Sequence, residues 1–210
     1  MRHYPPSKEQ AALFPPFAGL ELSAIVVPQT AAELAVARAD LLAQRFVGFD
    51  TESKPVFRVG EVPSGPHVVQ LATMQRGYIF QLSNAAACAT VGELLSNQDL
   101  VKVGFGLQSD RADIRRNLGV ELAAVFDLDV IFRRHGYSAT LGAKSAVALI
   151  LRQRFSKSKR VSTSNWASAK LQDNQLLYAA NDAYAAIQIF NALKLSTAEL
   201  RQYGLWRDPA

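Results

Sequence analysis

Cysteine is nearly absent: Cys88 is alone among 210 residues. A lone thiol excludes an internal disulfide and fits a reducing compartment. In its alanine-rich surroundings Cys88 reads as a small packed residue. Histidine is scarce as well. His3, His67 and His135 share no ligand spacing, which argues against a zinc site. No apolar run approaches the roughly 18 residues of a membrane span. The polar, proline-containing stretch from Met1 to Gln10 lacks the apolar centre of a signal peptide. The expectation is a cytoplasmic protein without a membrane partner. Gly104-Phe105-Gly106 lacks the third glycine of a dinucleotide-binding turn, because Ser109 stands in its place. Internal repeats and a second domain are missing too.

What is present is ordinary in bulk. An apolar fraction of 49% and a charged fraction of 20% suit a soluble globular chain, and the length supports one core. The formal net charge of +5 is compatible with a polyanionic partner such as nucleic acid.

Residues 1–22 carry Pro5-Pro6 and Pro15-Pro16 with little periodicity and read as an extended arm. The remainder, 23–210, reads as one domain. Ala24 to Val27 can be a short strand. Thr30-Ala31-Ala32-Glu33 has capping-box spacing and opens a helix to about Gln44. A strand over 46–52 is followed by a Pro- and Gly-rich loop from Ser53 to Pro66. Val68 to Thr73 and Tyr78 to Leu82 read as a hairpin turning at Gly77. A helix around 91–96, a strand at Leu100 to Phe105 and a helix over 108–118 come next. A short strand at Ala123 to Phe126 leads into helical 127–134, and Leu141 to Leu151 reads as one amphipathic helix. Arg152 to Arg160 is a basic loop. A long helix from Asp173 to Leu193 and a last turn or two near Thr197 to Tyr203 close the chain. This order predicts an α/β sheet with an antiparallel hairpin and a helical C-terminal third.

Within it, Arg45 to Glu52 is an apolar strand ending in two acids one residue apart. Strand side chains alternate faces, so Asp50 and Glu52 point the same way. At ~4 Å and an effective dielectric of ~20 their repulsion is about 4 kcal/mol. A divalent cation between them removes it. Two further acids stand out. Asp110 follows the strand over 101–105 at the start of a helix, where α/β proteins place ligands. It reads equally as an acid favoured by the helix dipole. Asp182 sits four residues after Tyr178 on the long helix, so the two share a face. Among small and apolar neighbours that acid needs a metal or a paired arginine.

Three segments together resemble the DEDD 3′–5′ exonucleases. Phe49-Asp50-Thr51-Glu52 looks like the first motif. Lys102 to Asp110 looks like the second. Tyr178-Ala179-Ala180-Asn181-Asp182-Ala183-Tyr184 looks like the third, in the form that uses tyrosine. No histidine follows His135, which places the resemblance with the tyrosine (DEDDy) subfamily. Ser164-Asn165-Trp166 is similar to the branch that holds the Werner syndrome protein's exonuclease domain, with ribonuclease D more distant. The likeness covers roughly 25–195.

The resemblance implies a ribonuclease H-like, mixed five-stranded sheet flanked by helices. It implies a metal-dependent nuclease that frees nucleoside 5′-monophosphates from a DNA or RNA 3′ end. Asp50, Glu52, Asp110 and Asp182 are the implied ligands of two Mg²⁺ or Mn²⁺ ions, with no other cofactor. Hard oxygen donors suit these ions. Tyr178 would orient the attacking water, being neutral near pH 7. Arg111, Arg115, Arg154, Lys157, Lys159 and Arg160 are candidates for phosphate contacts. Trp166 and Phe155 can stack on bases, though a core role fits Trp166 better. The alternative is a catalytically silent relative that binds nucleic acid or protein. Such a relative usually lacks an acid, and here all four are present.

Overall fold

The alternation Phe46-Val47-Gly48-Phe49-Asp50-Thr51-Glu52 forms the central strand of the molecule. The computed structural model describes residues 3–56, 60, 64–137 and 140–206. The strands among them are β1 (Ile25–Val26), β2 (Phe46–Glu52), β3 (Val68–Ala72), β4 (Gly77–Gln81), β5 (Val101–Gly104) and β6 (Val125–Asp127). They make one mixed sheet in the order β1-β4-β3-β2-β5-β6. β2, β3 and β4 pair antiparallel, β5 and β6 run parallel to β2, and β1 runs parallel to β4. The sheet therefore has six strands, where the family resemblance implied five. The additional one is the two-residue β1 at the edge, placed where the residues themselves suggested a strand.

Period two divides β2 between two cores. Val47 and Phe49 enter a cluster with Leu34 and Leu41 of α2 (Ala31–Leu42) and with Val91 and Leu94 of α3 (Ala85–Ser96). Ile114 of α4 (Gln108–Leu118) closes that side. Each fully buried large side chain here contributes about 1.5–3 kcal/mol. Gly48, Asp50 and Glu52 face the other way, toward α8 (Asp173–Ala192).

The first turn of α8 is held by a capping box between Gln172 and Gln175. Its buried face is rich in alanine, with Ala179, Ala180, Ala183 and Ala186 among its members, and this lets it lie close on the sheet. The short helices α5 (Asp129–Arg134), α6 (Ala143–Ala146), α7 (Lys159–Ser162) and α9 (Thr197–Gln202) surround it. Among the described residues no helix is long and apolar enough to cross a membrane.

Three local expectations change. α3 starts at Ala85 rather than near 91, because Asn84 Oδ1 accepts from the amides of Ala86 (2.9 Å) and Ala87 (3.3 Å). The stretch read as one helix over 141–151 is α6 followed by a π turn over Val147–Leu151. It stops at Arg152, whose φ of 54° is left-handed. In the N-terminal arm, α1 (Lys8–Ala12) forms behind a Ser7–Gln10 capping box. In the loop read from Ser53 to Pro66, residues 57–59 and 61–63 lie outside the described ones.

Candidate active site

Gly48 positions the site. A β-carbon there would stand 1.8 Å from the Ala183 carbonyl oxygen of α8. Only glycine lets the helix backbone cross β2 this closely. Asp50 lies two residues further on the same strand face, and Asp182 precedes Ala183. The close crossing therefore brings the two carboxylates together. Burial raises the proton affinity of both, the charges of Asp182 and Asp110 raise that of Asp50 further, and Lys157 opposes the rise at Asp182.

Glu52 joins the same face. Its carboxyl is pushed up to about 9, first by burial and then by the charges of Asp50 and Asp182. Asp110 arrives from the opposite side of the sheet, on the first turn of α4. There the Thr51 hydroxyl donates to Asp110 Oδ1. Burial raises the Asp110 carboxyl, and this hydrogen bond opposes the rise. The structure thus brings together all four acids, drawn from β2, α4 and α8.

Tyr178 lies one turn before Asp182 on α8. Its phenol is pushed up to about 12, mainly by burial and then by Asp182, so it stays protonated at neutral pH. The Trp166 ring packs 6.0 Å from the Tyr178 ring, centroid to centroid. Trp166 is itself 1% exposed and donates its indole N–H to the Ser162 carbonyl at 3.2 Å. It is a core residue that backs the tyrosine. Phe155 is half-buried against Phe17, at a ring separation of 5.0 Å.

The basic residues separate into four groups. Lys157 enters the acid cluster: its Nζ stands 2.6 Å from Asp182 Oδ2. Burial works against its charge, but Asp182 and Asp50 outweigh burial and raise its proton affinity. Lys159 and Arg160 are exposed on α7. Ser158 and Val161, on either side of them, line a cavity of about 370 Å³ that also touches Arg154, Tyr178 and Asp182. Arg154 is tied to the arm. Its backbone N–H donates to Pro15 O (2.8 Å), and its guanidinium donates to Ala12 O (3.0 Å). Arg111 and Arg115 are not brought to this cavity. They share a stripe of α4 about 100–140° round from Asp110, and Arg115 pairs with Glu121 at 2.9 Å.

Several site features escaped sequence reasoning. Pro16, Phe17 and Gly19 of the arm form one wall of the cavity. Asn181 holds that wall. Its Oδ1 accepts from the Leu20 amide at 2.7 Å, and its Nδ2 donates to the Leu20 carbonyl at 3.2 Å. Gln70 stands directly opposite Asp50 in the β2–β3 register. It is fully buried, and neither atom of its amide has a hydrogen-bond partner among the described residues. A glutamine in the middle of Val68-Val69-Gln70-Leu71-Ala72 was the signal available for it.

The donors fit a hard cation. Asp182 is 4% exposed, and its Oδ1 is buried with no hydrogen-bond partner among the described residues. Isolated buried carboxylate oxygens are costly unless a cation meets them. As the side chains stand, no three acids, histidines or cysteines among the described residues converge tightly enough to share an ion. The cation among them is the Lys157 ammonium.

The family described as 3′–5′ exonuclease matches residues 25–198. The mouse bifunctional 3′–5′ exonuclease/ATP-dependent helicase WRN is 31% identical over 150 residues, which is 70% of this chain and 11% of that protein. The EXO domain of Aedes aegypti Nibbler superposes with a TM-score of 0.73 at 22% identity, covering 90% of this chain and 98% of that one. Trypanosoma brucei RNase D, solved in complex with RNA U12, gives a TM-score of 0.71 at 20% identity, covering 82% of this chain and 63% of that one. At these identities the two structural likenesses establish the fold. The chain spans about a tenth of the length of the mouse relative.

Proposed function

The chain belongs to the 3′–5′ exonuclease family, and we propose that it hydrolyses phosphodiester bonds one at a time from the 3′ end of a nucleic acid. The observation that carries the reading is the meeting of Asp50 and Glu52 with Asp182 across the Gly48 crossing, with Asp110 joined through Thr51.

Asp50, Glu52 and Asp182 would hold one divalent ion, and Asp50 with Asp110 a second, Mg²⁺ or Mn²⁺ by the hardness of the donors. Bound there, such ions supply charge for the developing phosphoryl oxyanion and lower the pKa of water. The other steps fall to the side chains. Tyr178, protonated across the neutral range, can hold the attacking water by hydrogen bond but cannot take its proton at pH 7. That role supports membership of the tyrosine branch. Water adds to phosphorus as the bond to the 3′ oxygen breaks. The phosphate leaves on the released nucleotide as a 5′-monophosphate, and the shortened strand keeps a 3′ hydroxyl. Lys159 and Arg160 are exposed cations lying in the chain between two residues of the cavity wall, Ser158 and Val161, and can track the backbone of the incoming strand. The folded unit from residue 23 would carry the chemistry, with the arm as a wall of the substrate cavity.

The test uses a 3′-recessed, end-labelled duplex with Mg²⁺ or Mn²⁺. A ladder of shortened products is expected, absent with EDTA and reduced at least about 10³-fold in Asp50→Asn or Asp182→Asn, on the scale of losing a major electrostatic group. Intact substrate under every metal condition overturns the assignment and favours the silent binding module. Matched DNA and RNA oligomers then identify the preferred polymer, since discrimination rests on contacts to the 2′ hydroxyl.

A further inference from the structure

We propose that Lys157 is the resident counter-ion of the carboxylate site, and that its ammonium and a divalent cation occupy the site in alternation. The inference rests on the metal-dependent reading above and adds a step to it: loading the metal expels Lys157 and delivers its charge to the cavity where the substrate phosphate arrives.

Position comes first. Lys157 Nζ touches Asp182 Oδ2 at 2.6 Å, from a side chain 26% exposed to one 2% exposed. The ammonium therefore holds one oxygen of Asp182, which is buried while Asp50, Glu52 and Asp110 are only partly so. The other oxygen of that acid, Oδ1, is buried and has no hydrogen-bond partner among the described residues. Asp182 is thus half-satisfied. A monovalent ammonium binds one of its oxygens, while the repulsion from Asp50 remains. A divalent ion brings twice the charge to the same carboxylates. The two cations cannot share the place, because a dication and an ammonium a few ångströms apart in a partly desolvated site repel strongly.

The surroundings offer a route out. Nζ lies 5.5 Å from the centroid of the Tyr178 ring and 5.8 Å from that of Phe155. Lys157 itself lines the cavity together with these two rings, and each aromatic face favours a cation beside it. The cavity holds Arg154, Ser156 and Ser158 along the same wall. The backbone on either side of Lys157 is fixed. Arg154 is bridged to the arm by its amide donating to Pro15 O (2.8 Å) and by its carbonyl accepting from Phe17 N (3.0 Å). Ser158 caps α7 by accepting from the Val161 amide at 3.4 Å. The exchange therefore needs only a change of rotamer along the four-carbon stem of Lys157, and the segment around it keeps its path. Once released, the ammonium sits at the mouth of the cavity as a mobile point charge, the form in which lysine binds phosphate.

Two measurements on the full chain test this. The first uses the wild type: brief acetylation with an N-hydroxysuccinimide ester, read by peptide mass spectrometry with exposed Lys194 as reference. Saturating Mn²⁺ is expected to raise Lys157 labelling at least about fivefold and to leave Lys194 unchanged. The second reads free Mn²⁺ by electron paramagnetic resonance. Lys157→Met is expected to bind Mn²⁺ at least about tenfold more tightly than the wild type. Lys159→Met, which removes an equal charge two residues away, is expected to change affinity less than twofold. Bound Mn²⁺ with Lys157 labelling unchanged or reduced overturns the alternation and leaves the metal site standing. Equal affinity gains in the two variants also overturn it, because they reduce the effect to distant charge. No Mn²⁺ binding in any form removes the metal-dependent reading and this inference with it.

Discussion

Gly48→Ala tests whether the crossing of α8 over β2 sets the site. The new methyl would lie 1.8 Å from the Ala183 carbonyl oxygen and 3.3 Å from Ile187 Cβ, where ordinary contact begins at 3.4 Å. The obstacle is backbone in the middle of a 20-residue helix, not the far end of a flexible side chain. The helix must therefore retreat by about 1.5 Å locally, since interiors transmit such a misfit rather than absorb it. Asp182 is next in line and retreats with it. A misplacement of about 1 Å in a reacting constellation costs on the order of 10²-fold in rate, and overpacking costs about 1–3 kcal/mol. The variant should fold, with a Tm lowered by roughly 2–12 °C for a chain of this size. Its initial rate of 3′-end removal, measured well below that Tm at saturating metal, should fall about 10²-fold. Gly92→Ala is the control. It lies mid-helix in α3, where a β-carbon would meet only Val120 Cγ2 at 3.5 Å. It should gain about 0.5–1 kcal/mol from helix propensity and keep its rate. A Gly48→Ala enzyme within twofold of wild type, with its Tm unchanged, refutes the claim that this crossing holds the acids in place.

The acid cluster also sets the pH dependence of stability. Glu52 is pushed from 4.5 up to about 9, so the metal-free fold holds its proton more tightly than the unfolded chain does. That contribution is complete below pH 4.5 and is lost as pH rises toward 9. The Tm of metal-free protein should fall across that window, and Glu52→Gln should flatten the fall; an identical slope in the variant removes Glu52 as the cause. Mg²⁺ or Mn²⁺ should raise the Tm at pH 8, by the equivalent of about 2.7 kcal/mol at 100 times the Kd. Asp50→Asn should abolish this gain, as read by scanning fluorimetry. Lys159→Ala and Arg160→Ala should each reduce the salt slope of oligonucleotide affinity by about 1 if each meets a phosphate. Fluorescence anisotropy from 50 to 200 mM salt gives the slope, and unchanged slopes place these side chains off the strand's path.

Much of this architecture is written in local periodicity. Asp50 and Glu52 are two apart on a strand, and Tyr178 and Asp182 are four apart on a helix. Either spacing fixes a shared face without tertiary information. α2, α4 and α8 begin and end close to where their caps and apolar faces predict. The failures have physical causes. A run such as Ala85-Ala86-Ala87-Cys88-Ala89 has no polar positions to display a period, so only the Asn84 cap marked the start of α3. Apolar spacing over 141–151 cannot separate an α turn from a π turn, and an arginine does not announce the left-handed conformation that Arg152 adopts. Lys157 read as a loop cation facing solvent or substrate. Its partner Asp182 is 25 residues away across α7, and nothing local announces that pairing. β1, by contrast, falls within the short strand read at Ala24 to Val27.

Part of the cavity wall lies outside the stretch that the family model matches. The match to the family begins at residue 25, yet Pro16, Phe17 and Gly19 wall the cavity beside Tyr178 and Asp182. Three separate ties hold that wall. Asn181 bonds both the amide and the carbonyl of Leu20. Gln153 accepts from the Ala18 amide at 3.1 Å. The Phe17 ring packs on Phe155 and Tyr184, 5.0 and 6.2 Å away. A β-carbon on Gly19 would come within 2.3 Å of Asn181 Oδ1, so the arm is seated tightly on that side chain. Asn181 is thus adjacent to an acid of the cluster while serving the arm, one helix position joining chemistry to cavity shape. On the proposed reading, the four acids fix what reaction the site performs. On the same reading, what can reach them is decided in part by residues 16–20, which precede the stretch matched by the family model. Differences in the strand end that such enzymes accept should then follow differences in the segment packed here, even where the acids are unchanged.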